Sequence, residues 1–144
     1  MDTRGSLEDA IEAGRQGKIE EWVQAFLQLE EKNQGLSEGL KKANRWWSGP
    51  LEIAFSRLPR ITGPEVGMEY RIDPLGWERK TLNMVRDIKG GWTPAPLIAE
   101  YRSGELSLRD GNHRREALEK AGRDRYWTVV WFNSEADKLS FDAL

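Results

Sequence analysis

The sequence predicts a mixed α/β (α+β) fold, a small mixed sheet with helices preceded by a helical N-terminal extension. Three observations carry that expectation. The first third places apolar residues at helical spacing, the middle alternates strand-like with helix-like segments, and Tyr126 to Phe132 is almost continuously apolar. A chain of 144 residues is long enough to bury one real core.

Ser6 is a candidate N-cap for a lead-in helix through residue 17, with Leu7, Ala10 and Ile11 apolar and Gly14 and Gly17 punctuating it. Ile19, Trp22, Val23, Phe26 and Leu27 then form a single stripe at i, i+3, i+4, i+7 and i+8, the clearest helix in the chain. Glu20, Glu21, Glu30, Glu31 and Lys32 take its wet face or its end, and Asn33-Gln34-Gly35 stops it. A third helix uses Leu36, Leu40, Ala43 and Trp46 or Trp47, ending before Ser48-Gly49-Pro50. These helices make residues 1–49 the extension and residues 50–144 the α/β body. They offer Leu7, Ile11, Trp22 and Phe26 for packing on the body, for a lid or for a partner.

In the body, Leu51, Ile53 and Phe55 alternate with Glu52, Ala54 and Ser56 as in a half-buried strand. Residues 61–74 are rich in Gly and Pro and read as an ordered loop. A helix is expected from Trp77 to about Lys89, stopped by Gly90-Gly91. Leu97 to Tyr101 is a strand, Arg102-Ser103-Gly104-Glu105 has hairpin-turn chemistry, and Leu106 and Leu108 lie on the returning strand. That strand delivers the chain to Asp110. A helix from Asn112 to Ala121 ends at Gly122, and Tyr126–Phe132 is a strand covered on both faces. Ser134 caps a last short helix through Leu139.

Composition narrows the function. Seven tryptophans and 38% apolar residues exclude wholesale disorder despite 32% charged residues. Cysteine is absent, which removes disulfides, thiolate zinc sites and a cysteine nucleophile. No apolar run is long enough for a membrane span, and the start lacks a signal-peptide h-region, so a cytoplasmic protein is expected. The net charge of −2, with both signs interspersed, does not favour nucleic acid as a partner and suits a small phosphate-bearing ligand. Oligomeric state is not legible.

The chemistry concentrates in Asp110-Gly111-Asn112-His113-Arg114-Arg115. A strand ends, a glycine permits a sharp turn, and a helix opens. The first N–H groups of a helix lack intrahelical partners and carry the positive end of its dipole, so an anion is stabilised there. Cations in a first turn are disfavoured by roughly 0.3–1 kcal/mol each, and a bound anion would offset that cost. Arg114 and Arg115 diverge by about 100° on the helix, so only one of them faces a given ligand. Arg114 is preferred, with Arg115 reaching a carboxylate or solvent. His113 is either a ligand or a surface histidine. Asp110 is either a helix cap or a proton acceptor and magnesium ligand.

The box Asp110-Gly111-Asn112-His113-Arg114, the following Glu116–Gly122 and the strand Trp127–Phe132 resemble the ParB-like/sulfiredoxin-like domain superfamily. Leu51–Leu58 and Pro96–Ala99 match that domain's earlier strands, and the resemblance spans roughly residues 50–133. It implies a nucleotide, ATP, ADP or CTP, with its phosphates at Gly111, Asn112, His113, Arg114 and Arg115, and magnesium as an accompanying ion. Activities in the superfamily diverge. ParB proteins hydrolyse CTP and clamp DNA, sulfiredoxins run an ATP-dependent repair through a cysteine in the box, and free-serine kinases use an upstream glutamate as base. Some members have been called nucleases.

Here Asn112 stands in the place of the sulfiredoxin cysteine, so that chemistry is not expected. ParB proteins carry a helix-turn-helix domain after this one, whereas this chain ends at Leu144, so partition is not expected either. The box is closest to the kinase-like branch, with Glu65 and Glu69 as candidate acid–base residues or simple loop solvation. Trp77, Trp92 and Tyr70 are core residues or platforms for a base. Three readings follow: an NTP-dependent phosphotransferase or hydrolase, a non-catalytic nucleotide- or DNA-binding module, and a ParB-like nuclease.

Overall fold

The computed structural model describes residues 6–29 and 33–144. Six helices and six strands follow in the order α1 (Leu7–Arg15), α2 (Ile19–Gln28), α3 (Gln34–Leu40), β1 (Trp46–Ala54), β2 (Thr62–Gly63), β3 (Tyr70–Arg71), α4 (Pro74–Lys89), β4 (Leu97–Arg102), β5 (Glu105–Asp110), α5 (Asn112–Lys120), β6 (Arg125–Phe132) and α6 (Glu135–Asp142). A 3-10 turn, Phe55–Arg57, leaves β1. Glu30, Glu31 and Lys32, assigned above to the end of the second helix, lie outside the described residues.

The main sheet has the order β1-β6-β4-β5 and is mixed. β1 runs antiparallel to β6, β6 parallel to β4, and β4 antiparallel to β5. The β4–β5 hairpin closes through Ser103 and Gly104, both at positive φ, the turn whose twist matches that of the strands. α5 then carries the chain across to β6, as a parallel pairing requires.

The apolar run of β6 is explained by its two covers. Leu97, Ala99 and Tyr101 of β4 join Val130 and Phe132 of β6 in one cluster with Ile88 of α4, Leu118 of α5 and Phe141 of α6. Their alternating neighbours Ile98, Val129 and Trp131 join the second cluster, with Trp22, Val23, Phe26 and Leu27 of α2. The N-terminal helices are therefore the second cover of the sheet, and Trp22 and Phe26 are buried there.

Several expectations need correction. The third helix stops at Leu40, and Trp46 and Trp47 are strand residues paired with Phe132 and Trp131. Helical spacing from Leu36 to Trp47 was real in the sequence, but Arg45 donates to the carbonyls of Gly39 and Leu40 and ends the helix. β1 thus begins five residues before Leu51. It passes Gly49-Pro50 by a register shift between Ser48 and Leu51, where an edge strand tolerates proline. α4 starts at Pro74, three residues before Trp77, because Asp73 caps it by accepting from Gly76 N at 2.9 Å. α6 runs past Leu139 to Asp142, and Phe141 packs against Tyr101 and Phe132. The loop of residues 61–74 contains a two-residue parallel pair, β2 with β3.

Candidate functional site

α5 opens at Gly111, the residue in the N-cap position, whose φ of 98° is open to glycine and strained for other residues. No side chain caps it, and its first turn carries no acid. Its hydrogen-bond ladder begins with Arg115 N donating to Gly111 O at 2.8 Å, which leaves the preceding N–H groups as free donors of the helix end. A Cβ on Gly111 would meet the Arg114 guanidinium and Leu97, both at 2.8 Å. The glycine is thus required by its neighbours as well as by φ.

Arg114 turns inward. It is 6% exposed, donates through a terminal nitrogen to Pro96 O at 2.9 Å, and meets Asp110 Oδ2 at 3.4 Å. Its guanidinium lies 5.4 Å from the Phe26 ring centre. Its Nε has no hydrogen-bond partner, an unsatisfied buried donor of the kind that calls for an explanation. Arg115 faces the other way, donating to the carbonyls of Leu58 at 2.7 Å and Phe55 at 2.8 Å and reaching Glu119. It fastens α5 to the 3-10 turn.

Asn112 fastens the box to the loop. Its Oδ1 accepts from Ile61 N at 2.9 Å and Thr62 N at 3.2 Å, and its Nδ2 donates to Leu108 O. Asp110 has both carboxylate oxygens engaged, Oδ2 by Arg114 and Oδ1 by Asn33 Nδ2 at 2.9 Å. Asn33 also caps α3, so a single side chain connects the N-terminal layer to the box. Asp110 is thus held from both sides, by one hydrogen bond on each oxygen. Among the described residues, no three of His, Asp and Glu cluster in a way that could hold a metal.

His113 lies half-buried against Trp77, with ring centres 4.3 Å apart. Burial, and then the charges of Lys80, Arg114 and Arg60, push its pKa down to about 4, so the imidazole is neutral at pH 7. Arg60 covers the other part of this surface, 4.9 Å from the Trp77 ring centre. It is held by Glu65 at 2.5 Å and lies 3.9 Å from Glu116. That pairing holds the Glu65 carboxyl below its ordinary range. Lys80 is exposed and forms no ion pair among the described residues.

The structure therefore brings Asp110, Gly111, Asn112, His113 and Arg114 into one turn and connects Glu65 to them through Arg60 and Trp77. Glu69 goes elsewhere. It pairs with Arg109 at 3.2 Å, which also reaches the buried Glu100, on the side of β5 opposite Leu108. Arg60, Lys80 and Asn33 were missed by the sequence reading. Lys80 had one available signal, its i+3 spacing from Trp77 on α4. Asn33 and Arg60 had none.

No family model matches the chain, and no curated protein matches it. Among solved structures, the chain is similar to sulfiredoxin from Arabidopsis thaliana, at 16% identity and a TM-score of 0.44. That match covers 65% of this chain and 96% of the other.

Proposed function

We propose that this protein binds the phosphate of a nucleotide at the N-terminus of α5. The observation that carries the reading is a helix end without a side-chain cap or a first-turn acid, with the exposed Lys80 acting on its second residue, His113. Arg60 and Arg114 are already paired with Glu65 and Asp110, so beside the neutral imidazole Lys80, which acts on His113 and has no ion pair among the described residues, is the cation left for an anion. The free N–H groups of the first turn supply directed donors and the helix dipole adds to the attraction. The unpaired Nε of the buried Arg114 points to the same turn as incompletely satisfied. In this reading Lys80 and the main chain grip the phosphate, while Arg114 shapes the turn from behind.

Hydrolysis or phosphoryl transfer is a second step of the same proposal, carried by the Glu65–Arg60 pair. A phosphate that draws Arg60 toward itself frees the Glu65 carboxylate to take the proton of a water or an acceptor hydroxyl as that oxygen bonds the terminal phosphorus, the bridging P–O bond breaks and the nucleoside diphosphate leaves. Positioned bases of this kind contribute about 10²–10⁴-fold.

Lys80→Ala separates the binding reading from its alternatives. It is expected to leave the fold intact and to weaken ATP, ADP, CTP or GTP binding about fivefold or more, the loss of one charge-assisted contact. Thermal shift with each nucleotide, with and without magnesium, measures it. Absence of any nucleotide shift in the wild type, or equal shifts in Lys80→Ala, overturns the phosphate site.

A further inference from the structure

The side-chain caps among the described residues follow one pattern. Ser6 accepts from Asp9 N at 3.1 Å, Asn33 from Leu36 N at 3.3 Å, Asp73 from Gly76 N at 2.9 Å and Ser134 from Asp137 N at 3.1 Å. Each oxygen reaches the N–H three residues on, as N-cap oxygens do. Asp110 stands three residues before His113, with the same side chain as Asp73, directly ahead of the open end of α5. Its chemistry and spacing suit a cap, yet no side chain caps that helix.

The carboxylate is held elsewhere. Asn33 Nδ2 donates to Oδ1 at 2.9 Å, from 77 positions away in the sequence, and Arg114 meets Oδ2 at 3.4 Å. The Asn33 contact is the shorter one, and an amide donating to a carboxylate makes a charge-assisted bond, about twice as strong as a neutral one. Asn33 is itself fixed, since its Oδ1 caps α3 and its N–H donates to Leu27 O at 2.9 Å. Without Asn33, Oδ1 is the free oxygen while Oδ2 keeps Arg114. A free Asp oxygen turns onto backbone N–H groups two or three residues on, which here belong to Asn112 and His113. The helix dipole adds to that pull, and Gly111 between them adopts either sign of φ, so the chain can follow.

We propose that Asn33, from the N-terminal layer, is a positioning residue of the α5 turn. It holds the Asp110 carboxylate off the first-turn N–H groups and so keeps that helix end open to an external anion. The anion itself rests on the phosphate reading above. An internal carboxylate and an incoming phosphate compete for the same donors, so affinity falls with the fraction of molecules in which the turn has closed on itself.

Asn33→Ser tests this in the full chain, because serine still caps α3 but is too short to reach Asp110. Asn33→Asp also keeps the cap and sets a second carboxylate against the first. Amide exchange of the ligand-free protein is read by NMR, and inorganic tripolyphosphate is titrated by calorimetry. The His113 amide is expected to exchange freely in the wild type. In Asn33→Ser it is expected to slow roughly threefold to thirtyfold, the worth of one N-cap, with tripolyphosphate affinity falling by a similar factor. Asn33→Asp is expected to go further in both. A variant that is merely destabilised would exchange faster, so the sign of the change separates positioning from a structural role. A His113 amide already protected in the wild type overturns the proposal, as does unchanged or faster exchange in both variants. Slowed exchange with unchanged tripolyphosphate affinity overturns the competition. Wild-type protein that binds no tripolyphosphate overturns the phosphate reading, and His113 exchange alone then decides the role of Asn33.

Discussion

α5 and α6 are helices of nearly equal length that begin in opposite ways. α6 starts at Ser134, whose hydroxyl accepts from Asp137 N at 3.1 Å, with Glu135 and Asp137 in the first turn. That helix end is answered within the chain: one of its free donors is satisfied and the dipole is complemented by acids. α5 starts at Gly111 with no cap and has His113, Arg114 and Arg115 where α6 has acids. The contrast teaches that an open helix end is usually answered within the chain. α2, uncapped at Lys18, still places Glu20 and Glu21 in its first turn, and the other helices besides α5 carry side-chain caps. Ser6, Asn33 and Asp73 supply them for α1, α3 and α4.

Breaking the α5 turn should have the largest effect. Gly111→Ala puts an L-residue at positive φ and drives its Cβ into Arg114 and Leu97, neither of which has room to move. Strain and overpacking of about 1–3 kcal/mol each sum to a loss of about 2–6 kcal/mol by urea denaturation. A loss under about 1 kcal/mol would mean that the turn relaxes freely. Ser134→Ala removes the cap of α6 and should cost about 1 kcal/mol in the same assay, without altering nucleotide affinity.

The cleanest effect is at His113, the single histidine of the chain. Its folded pKa of about 4 lies below the unfolded value near 6.5, so protonation favours unfolding. Its contribution to stability is complete above pH 6.5, falls as pH drops from 6.5 toward 4, and is gone below 4. His113→Asn should flatten the dependence of Tm on pH across that window. A proton resonance titrating near 6.5 in the folded protein would contradict the buried, cation-surrounded ring. Added nucleotide should raise the His113 pKa, since a bound phosphate opposes the cations around it.

Much of this was legible from local patterns. Ser6 as a cap, the α2 stripe, the Ser103-Gly104 hairpin and the Gly111 turn are all short-range physics, decided within a few residues. The failures are also instructive. Trp46 and Trp47 fit the helical spacing of α3, yet they pair with β6, a partner more than eighty residues away in sequence. Burial of aromatics against Trp131 outweighs a weak helical preference.

For the candidate site, the sequence by itself determined the turn: a strand end, a glycine, and a helix with two arginines and no acid in its first turn. It also determined that residues 126–132 need two covers. Only the tertiary structure decided which donors face out. Arg114 and Arg115 are adjacent cations in the sequence, indistinguishable except by their angle on the helix. Packing gives one to Asp110 and Pro96 and the other to the carbonyls of Phe55 and Leu58. The exposed cation acting on His113 is instead Lys80, from α4. The physical reason is range. Helix ends and turns are settled by neighbours in the chain, whereas the direction of a long charged side chain is settled by whichever distant acceptors the packed sheet brings within reach.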